Sequence, residues 1–254
     1  MHIMKRFRIN IIGRGNVATH LYKALKGKAD CVIVNPHTLE ELDNDADFSL
    51  ISVSDSAISS VLQSLPQLKG IVAHTSGSTD ISVFKQTEWE GASALHKCGV
   101  FYPLQTFSKE KEIIYSEIPL FIEAYTSECE KKLIDLGNLI SDKTYPCDST
   151  KRKHLHIASV FSCNFVNHLW ALSYDYLQQN GLDFDMLLPL IRETVKKSQT
   201  GDPAECQTGP AVRGDMKIIN SHLDALTGYP EMKRIYQILS ESIMELKNKA
   251  NKNK

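Results

Sequence analysis

Two glycines and an alanine follow an apolar run near the start of the chain, in the segment INIIGRGNVA (residues 9–18). Gly13, Gly15 and Ala18 form the pattern G-x-G-x-x-A between a predicted strand and a predicted helix. The first glycine permits a tight turn, the second lets a diphosphate reach the backbone, and the small third residue lets the helix pack closely. The helix N-terminus adds unpaired N–H groups. This predicts a dinucleotide site, with a purely structural turn as the alternative. The expected contacts are Gly13, Arg14, Gly15, Asn16, Val17 and Ala18.

The end of the second predicted strand indicates which dinucleotide this turn would bind. NAD sites usually carry an acidic side chain there, about 20 residues after the glycines, which binds the ribose 2′-hydroxyl. This chain instead has the uncharged Asn35 at that position. His37, Thr38 and nearby Arg14 could donate hydrogen bonds to a 2′-phosphate. The pattern therefore favours NADP over NAD, with Asn35 and His37 as contacts, and the alternative is that Asn35 and Pro36 only form a turn.

Two further predicted strand ends should lie at the same edge of the sheet, because open parallel sheets bind ligands at the carboxyl ends of their strands. One is SVSDS (residues 52–56), which is expected to pass beside the nicotinamide-side ribose. The other is HTSGS (residues 74–78), which is dense in small hydrogen-bonding groups. Ordinary turns are the alternative for both, since Ser, Asp and Gly are common turn residues. Contact through the backbone is expected for Ser52, Val53 and Ser54, and for Thr75 and Ser76 contact with the cofactor and an ordinary turn are equally consistent with the pattern.

A predicted helix in the second half of the chain could supply acid–base and polar groups. His156, Val160 and Asn164 recur at every fourth residue, so on an α-helix a histidine and an asparagine project from one face. His156 is the predicted catalytic acid or base, and Asn164 is predicted to polarise the acceptor group of a substrate. The alternative is that both are hydrogen-bonded polar groups of a core or an interface.

Arg213 and Asp215 lie in a predicted loop-to-helix junction that Gly209 and Pro210 open. Arg213 could bind an anionic group of a substrate with two parallel hydrogen bonds, and Asp215 could orient it. A helix cap or an ion pair is the alternative for the same two residues. No metal is predicted, because the histidines of HLH (residues 154–156) project from different helical faces and no other spacing is typical of a metal site.

Short β-branched runs alternate with helical segments up to about residue 148. The continuous apolar character of these runs is typical of a parallel sheet with helices on both faces. The predicted fold is therefore α/β, a Rossmann-type doubly wound, mainly parallel sheet in residues 1–148, which form the dinucleotide-binding domain. The predicted strands are residues 8–13, 31–35, 48–54, 70–76, 119–124 and 144–148.

Strand-like runs disappear after residue 148, and residues 149–254 are predicted to form an all-α C-terminal domain. The first predicted helix begins at a cap formed by Ser149 or Thr150 and runs to about Asn180. Further helices are predicted at residues 183–198, about 210–226 and 229–248.

Composition limits the class of partner. The 29 Lys and Arg residues balance 30 Asp and Glu residues, so the formal net charge of −1 gives no field that would attract nucleic acid or an anionic membrane. No apolar stretch approaches the roughly 18 residues of a membrane span. The six cysteines are scattered without a C-x-x-C pair, which is typical of reduced thiols. These features favour a cytoplasmic protein with a small-molecule substrate, and neither a nucleic acid nor a membrane as partner.

Three later stretches stand out: GVFYPLQTFS (residues 99–108), where FYPLQTF is expected to be a loop, HIASVFSCNF (156–165) and GPAVRGDMKIINSH (209–222). With the glycine turn they resemble a family of NADP-dependent oxidoreductases in which a Rossmann-like domain precedes a helical domain of unassigned function. The layout is similar to that of pyrroline-5-carboxylate reductases and of the 6-phosphogluconate dehydrogenase group. The resemblance spans nearly the whole chain, and GP-x-x-RGD and PLQTF are its most specific marks. It implies a helical domain that closes over the nicotinamide and a homodimer formed through that domain, and it leaves the substrate open.

The leading hypothesis is hydride transfer between NADP and a small substrate that carries a C=O or C=N group. The cofactor supplies the chemistry, and the protein must exclude water, orient the acceptor and provide a proton donor or oxyanion partner. The main rival is a non-catalytic module that senses NADP(H). The short-chain dehydrogenase class is less consistent, because its Tyr-x-x-x-Lys spacing occurs at Tyr22 with Lys26 and at Tyr229 with Lys233, far from the expected position.

Overall fold

The computed structural model of the protein describes residues 6–87 and 95–252. The strands in these ranges form one seven-stranded sheet in the order β2-β1-β3-β4-β5-β6-β7. β1 to β5 are parallel to one another, whereas β6 pairs antiparallel with β5 and parallel with β7. The strand bounds are β1 (Arg8–Ile12), β2 (Asp30–Val34), β3 (Phe48–Ile51), β4 (Ile71–His74), β5 (Cys98–Pro103), β6 (Leu120–Ala124) and β7 (Thr144–Pro146).

The strand order is that of a doubly wound sheet, because the chain passes from β1 to β2 on one side and then crosses to β3 on the other. The point where the order reverses, between β1 and β3, is where such sheets open a crevice at the carboxyl ends of their strands. The predicted fold class, a mainly parallel Rossmann-type sheet followed by an all-α region, is confirmed.

Helices cover both faces of the sheet. The α-helices of the described residues up to residue 159 are α1 (Asn16–Leu25), α2 (Ile58–Ser64), α3 (Val83–Gln86), α4 (Ser127–Gly137) and α5 (Ser149–Ser159). Successive residues of β1 point to opposite faces, so Ile11 packs in one apolar cluster with Leu21 of α1, and Ile12 packs in another with Leu62 of α2. All four side chains are fully buried. Burial of each such side chain stabilises the fold by about 1.5–3 kcal/mol.

The remaining elements are helical. After the π-helical residues Val160–Phe165 come α6 (Val166–Gln179), α7 (Leu188–Ser198), α8 (Pro210–Arg213), α9 (Met216–Ala225) and α10 (Pro230–Lys252). The chain divides into two compact units, one that ends at Asn164 and one that begins at Phe165. The domains expected from the sequence, residues 1–148 and 149–254, stay a prediction, and α5 lies in the first compact unit.

The loop expected at FYPLQTF is corrected by the structure, because Phe101, Tyr102 and Pro103 belong to β5. All six residues of this strand, Cys98–Pro103, are buried. Its apolar run is continuous, like those of the strands that were predicted, but it ends in Pro103, a residue that is common in turns and loops. The loop itself begins at Leu104.

The helix predicted from residue 149 to about 180 also differs in two respects. Its cap is Asp148 rather than Ser149 or Thr150, since the Asp148 carboxylate accepts a hydrogen bond from the Lys151 N–H at 2.8 Å. The α-helical bonding is interrupted by the π-helix Val160–Phe165, a wider turn that is often found at functional sites. Likewise, the helix predicted at about 210–226 is divided at Gly214, where the backbone is left-handed with φ of 70°.

Candidate active site

The glycine turn is tight at Gly13 and open at Gly15. The Gly13 N–H donates to the Val34 carbonyl at 3.0 Å, and its φ of 143° is one that other residues rarely adopt. A Cβ atom on Gly13 would lie 2.1 Å from the Ser52 carbonyl oxygen. A Cβ atom on Gly15 would meet no atom within 4 Å. Gly13 is therefore needed by the fold, whereas the fold does not explain Gly15.

A dinucleotide diphosphate fits the space beside Gly15. Gly15 is the N-cap of α1, and no acidic side chain lies in the first turn of this helix. Arg14, Gly15 and Asn16 are exposed, and Ala18 is fully buried against the sheet. The exposed N–H groups and the positive end of the helix dipole make this a suitable environment for phosphate oxygens.

Residues that follow β2 help to line a cavity. The Asn35 side-chain oxygen accepts a hydrogen bond from the His37 N–H at 3.1 Å, so Asn35 makes the turn that was the alternative to its contact with a ligand. This turn places His37 in the lining of a cavity of about 460 Å³. The cavity is also lined by Val53 and Ser54 after β3 and by residues of α2. Three of the residues predicted to contact the cofactor thus share one cavity.

The other predicted contacts at the ends of β3 and β4 have buried side chains. The Ser52 N–H donates to the Ile12 carbonyl at 2.8 Å, and the Thr75 hydroxyl lies 3.3 Å from the Ser52 hydroxyl. The Ser76 hydroxyl accepts from the N–H groups of Ser78 and Thr79 at 3.1 and 2.9 Å. These bonds shape the turns, and contact of Ser52, Thr75 and Ser76 with the cofactor stays a prediction.

A larger cavity, of about 670 Å³, joins the start of α1 to the end of α5. Its lining includes Asn16 and Val17 of the glycine turn and both predicted catalytic residues, His156 and Asn164. Residues Leu104 to Phe107 form another part of the lining. The structure therefore brings the predicted catalytic residues and the glycine turn to one cavity, although the π-helix removes the regular spacing that suggested this.

Tyr102 is part of this cavity and was not predicted from the sequence. Its hydroxyl lies 3.2 Å from Nδ1 of His156, and the two rings meet edge to face with centroids 6.1 Å apart. Gly77 lies directly against this pair. The signal in the sequence was the strand-like run that ends in Tyr102, because a polar side chain near the carboxyl end of a parallel strand faces the ligand edge of the sheet.

Arg152 anchors α5 and also went unpredicted. Its side chain is 1% exposed and is paired with the Glu123 carboxylate. The guanidinium donates to the Thr79 carbonyl at 2.7 Å and to the Ser149 hydroxyl at 3.0 Å, and Ser149 donates to Glu123 at 2.7 Å. These bonds tie α5 to β6 and to the segment after β4. His156, one turn further along α5, is thereby held in place.

His74 lies at the end of β4 with no exposed surface, stacked on Phe84 with ring centroids 5.8 Å apart. Burial and the nearby positive charge of Arg152 lower the pKa of His74 to about 3. The imidazole is therefore neutral at physiological pH, and its Nδ1 accepts from the Ser76 N–H at 3.2 Å. His74 acts as a structural residue of the HTSGS turn.

Side chains of α1 hold the loop after β5. The Asn16 amide donates to the Phe107 carbonyl at 2.8 Å, the His20 Nε2 bonds the Ser108 carbonyl at 2.9 Å, and the Lys23 ammonium donates to the Lys109 carbonyl at 3.3 Å. The His20 ring also packs on Phe107, with centroids 5.2 Å apart. The cavity wall formed by this loop is thus fixed to the helix that begins at the glycine turn.

In the second unit, Asp215 is the N-cap of α9 and accepts a hydrogen bond from the Ile218 N–H at 3.2 Å. This is the capping role that was the alternative for Asp215. Arg213 ends α8 and is exposed. His222 on α9 bonds the Tyr236 hydroxyl at 2.8 Å. Substrate binding by Arg213 and Asp215 stays a prediction.

Several solved structures are similar to this chain. A protein from Bacteroides fragilis, described as a "putative NADP oxidoreductase", is 37% identical, with a TM-score of 0.81 over 94% of this chain and 98% of that one. An imine reductase from Myxococcus stipitatus in complex with NADP+ is 14% identical, with a TM-score of 0.60 over 97% and 94%. Pyrroline carboxylate reductase from Plasmodium falciparum with NADP bound is also 14% identical, with a TM-score of 0.56 over 96% and 99%. The last two show a shared fold.

The fold and the open glycine turn define a Rossmann-type dinucleotide-binding protein. Residues 118–243 match a domain of unknown function, DUF2520. None of the curated proteins matches the chain. The chain belongs to the family of NADP oxidoreductases that includes the protein from Bacteroides fragilis, so the family resemblance of the sequence is confirmed.

Two further observations concern the described ranges. None of their helices combines the length and the apolar character needed to cross a bilayer. Their His, Cys, Asp and Glu side chains form no group of three or more that could hold a metal ion.

Proposed function

We propose that the protein uses NADP to transfer a hydride to or from a small substrate with a C=O or C=N group. The observation that carries this proposal is the cavity of about 670 Å³, because its lining includes both the start of α1 and the pair His156 and Asn164. A nicotinamide bound from the glycine turn and a substrate beside His156 could share this space. Residues 1–148 would bind the cofactor, and residues 149–254 would bind the substrate.

Two separate parts of the cofactor site support NADP. The diphosphate would lie against Gly15 and the N-terminus of α1, where the backbone is open. The 2′-phosphate would lie near the exposed side chains of His37 and Arg14, at a position that lacks the acidic residue typical of NAD sites. The nicotinamide ring of the bound cofactor donates or accepts the hydride.

Within the cavity the protein's own groups bind and orient the substrate. His156 would act as the acid or base at the substrate oxygen or nitrogen, and Asn164 would donate a hydrogen bond that polarises the same group. The apolar part of the lining, from Leu104 and Phe107 to Val160, would limit the access of water to the reacting atoms. Arg213 would bind an anionic group of the substrate, and Asp215, two residues later, would orient Arg213.

His156→Ala should leave NADPH binding unchanged and lower turnover about 100- to 10,000-fold, the usual contribution of a positioned acid or base. The measurement is NADPH consumption with a panel of small aldehydes, ketones and cyclic imines, together with an NADPH titration by fluorescence. His154→Ala is the matched control, because His154 is exposed on the same helix and is absent from the cavity lining. Loss of NADPH binding in His156→Ala would remove this residue from the catalytic role.

The alternative hypothesis, a non-catalytic module that senses NADP(H), predicts a different result for the wild-type protein. A sensor would bind NADPH tightly and oxidise it with no member of the panel. A wild-type protein that turns over one member, with His156→Ala inactive on it, supports the oxidoreductase proposal over the sensor.

A homodimer through the helical unit belongs to the same proposal. Among the described residues of this unit, the buried ones are Ala211, Ile219, Leu226 and Ser240. Large apolar side chains are exposed instead, including Met186 at 68% and Leu190 at 64%. A helical unit with so small a core requires a further apolar surface, and a second copy of the chain would supply it.

A cytoplasmic location agrees with the absence of disulfides among the six cysteines.

Light scattering should give twice the chain mass for the wild-type protein. Met186→Glu combined with Leu190→Glu should shift it to one chain mass, because two carboxylates would be buried at the interface. Glu substitutions at exposed Lys196 and Gln199 of the same region serve as the control. A wild-type protein with the mass of one chain would contradict the homodimer.

A further inference from the structure

The contact between Tyr102 and His156 joins two elements that are far apart in sequence. Tyr102 is near the end of β5, and His156 is on α5. The phenol oxygen is 3.2 Å from Nδ1 of the imidazole, and both residues line the cavity of about 670 Å³. One ring nitrogen of His156 is therefore engaged by Tyr102, which leaves Nε2 as the nitrogen that can face a ligand.

Gly77 fixes the pair from the other side. A Cβ atom at Gly77 would be 2.6 Å from Cζ of Tyr102, 2.7 Å from Nδ1 of His156 and 2.8 Å from the Tyr102 hydroxyl. No side chain could occupy this position without moving both rings. Close contact with the pair thus explains the glycine in HTSGS.

The direction of the hydrogen bond between Tyr102 and His156 depends on which of the two groups has a proton to donate. Burial raises the pKa of the Tyr102 phenol above its usual value. The phenol is therefore protonated at neutral pH, with one proton to donate. The Ser159 hydroxyl has its own proton directed toward the carbonyls of Leu155 and His156, at 2.7 and 3.0 Å. Among the described residues the hydrogen-bond partner of the Tyr102 hydroxyl is Nδ1 of His156, at 3.2 Å, so this nitrogen is placed to receive the phenol proton.

We infer that Tyr102 is a positioning residue that holds neutral His156 as the tautomer with its proton on Nε2. A hydrogen bond to one ring nitrogen sets which of the two carries the proton. His156 then presents a donor to the cavity rather than an acceptor. The catalytic role of this tautomer rests on the proposed function. The Nε2–H would donate a hydrogen bond to the C=O or C=N group of the substrate and polarise it.

The test is the protonation pattern of His156 in the full-length protein without added ligand. Nitrogen-15 NMR of the imidazole distinguishes a protonated from an unprotonated nitrogen, and the spectrum of His156→Gln identifies the His156 signals. We expect a protonated Nε2 and an unprotonated Nδ1 at slightly alkaline pH. In Tyr102→Phe the two tautomers should mix, so both signals shift toward each other. Tyr125→Phe is the control, because the Tyr125 hydroxyl bonds the Ile81 carbonyl instead.

A proton on Nδ1 in the wild-type protein would overturn the inference, as would His156 signals that do not change in Tyr102→Phe. Should Tyr102→Phe fail to fold, Gly77→Ala provides the same test, because its methyl group would push the two rings apart. The kinetic counterpart is a fall in kcat of about tenfold for Tyr102→Phe with unchanged NADPH affinity. A wild-type protein without turnover would contradict the proposed function, while the NMR experiment would still decide the tautomer.

Discussion

Gly15→Val should raise the Kd for NADPH about 100-fold or more and leave the fold intact. Gly15 has φ of −78° and ψ of −173°, an extended conformation that valine adopts readily, and its Cβ position is open. The valine side chain would fill the space that a diphosphate needs. The cost to folding should be about 1 kcal/mol, because valine is a poor N-cap residue. NADPH titration and thermal unfolding measure the two effects.

Gly13→Ala is the informative comparison for that variant. Its methyl group would meet the Ser52 carbonyl at 2.1 Å in a backbone conformation that favours glycine, so this variant should lose stability before any question of binding arises. We expect Gly15→Val to lose NADPH binding and keep its stability, and Gly13→Ala to lose stability. This difference would show that the two glycines have different roles. Wild-type NADPH affinity in Gly15→Val would mean that no diphosphate lies at this turn, and the NADP proposal would be wrong.

Glu123→Ala should destabilise the protein by about 3–5 kcal/mol, because it leaves the buried Arg152 guanidinium without its counter-charge. The measurement is the free energy of unfolding from urea denaturation. Glu128→Ala is the matched control, since Glu128 forms an exposed ion pair with Lys132 one turn away on α4, and exposed pairs contribute little.

A double variant tests the physical reason for that loss. In Glu123→Leu with Arg152→Met both charges are removed together, and most of the lost stability should return. A double variant as unstable as Glu123→Ala would show that the cost lies in packing rather than in an unpaired charge. NADPH binding should survive in every variant that folds, because neither residue belongs to the glycine turn.

The cofactor side of the site was predictable because its signals are local. The turn from β1 into α1 is encoded within residues 9–18, and the apolar runs of the strands and the periodicity of the helices are read over short windows. The position of His37 beside Val53 and Ser54 followed from one general rule, that parallel strands bring their carboxyl ends to the same edge of a sheet.

The catalytic side was predictable only in part, because its contacts join residues that are far apart in the chain. Arg152 reaches Glu123 and Thr79, and Tyr102 reaches His156, and no local pattern marks such pairs. Fully buried arginines are also rare, so an arginine on a helix, such as Arg152, is expected to be exposed. The π-helix could not be foreseen, because the α-helical spacing of His156, Val160 and Asn164 is compatible with an uninterrupted helix.

The bonds from α1 to the loop after β5 all end on main-chain carbonyls, those of Phe107, Ser108 and Lys109. Any residue type supplies the same carbonyl, so relatives can exchange the side chains of this loop without releasing it from α1. If the substrate occupies the cavity as proposed, evolution or design can alter specificity at Gln105 and Thr106, which line it, while the hydrogen bonds between this loop and α1 persist.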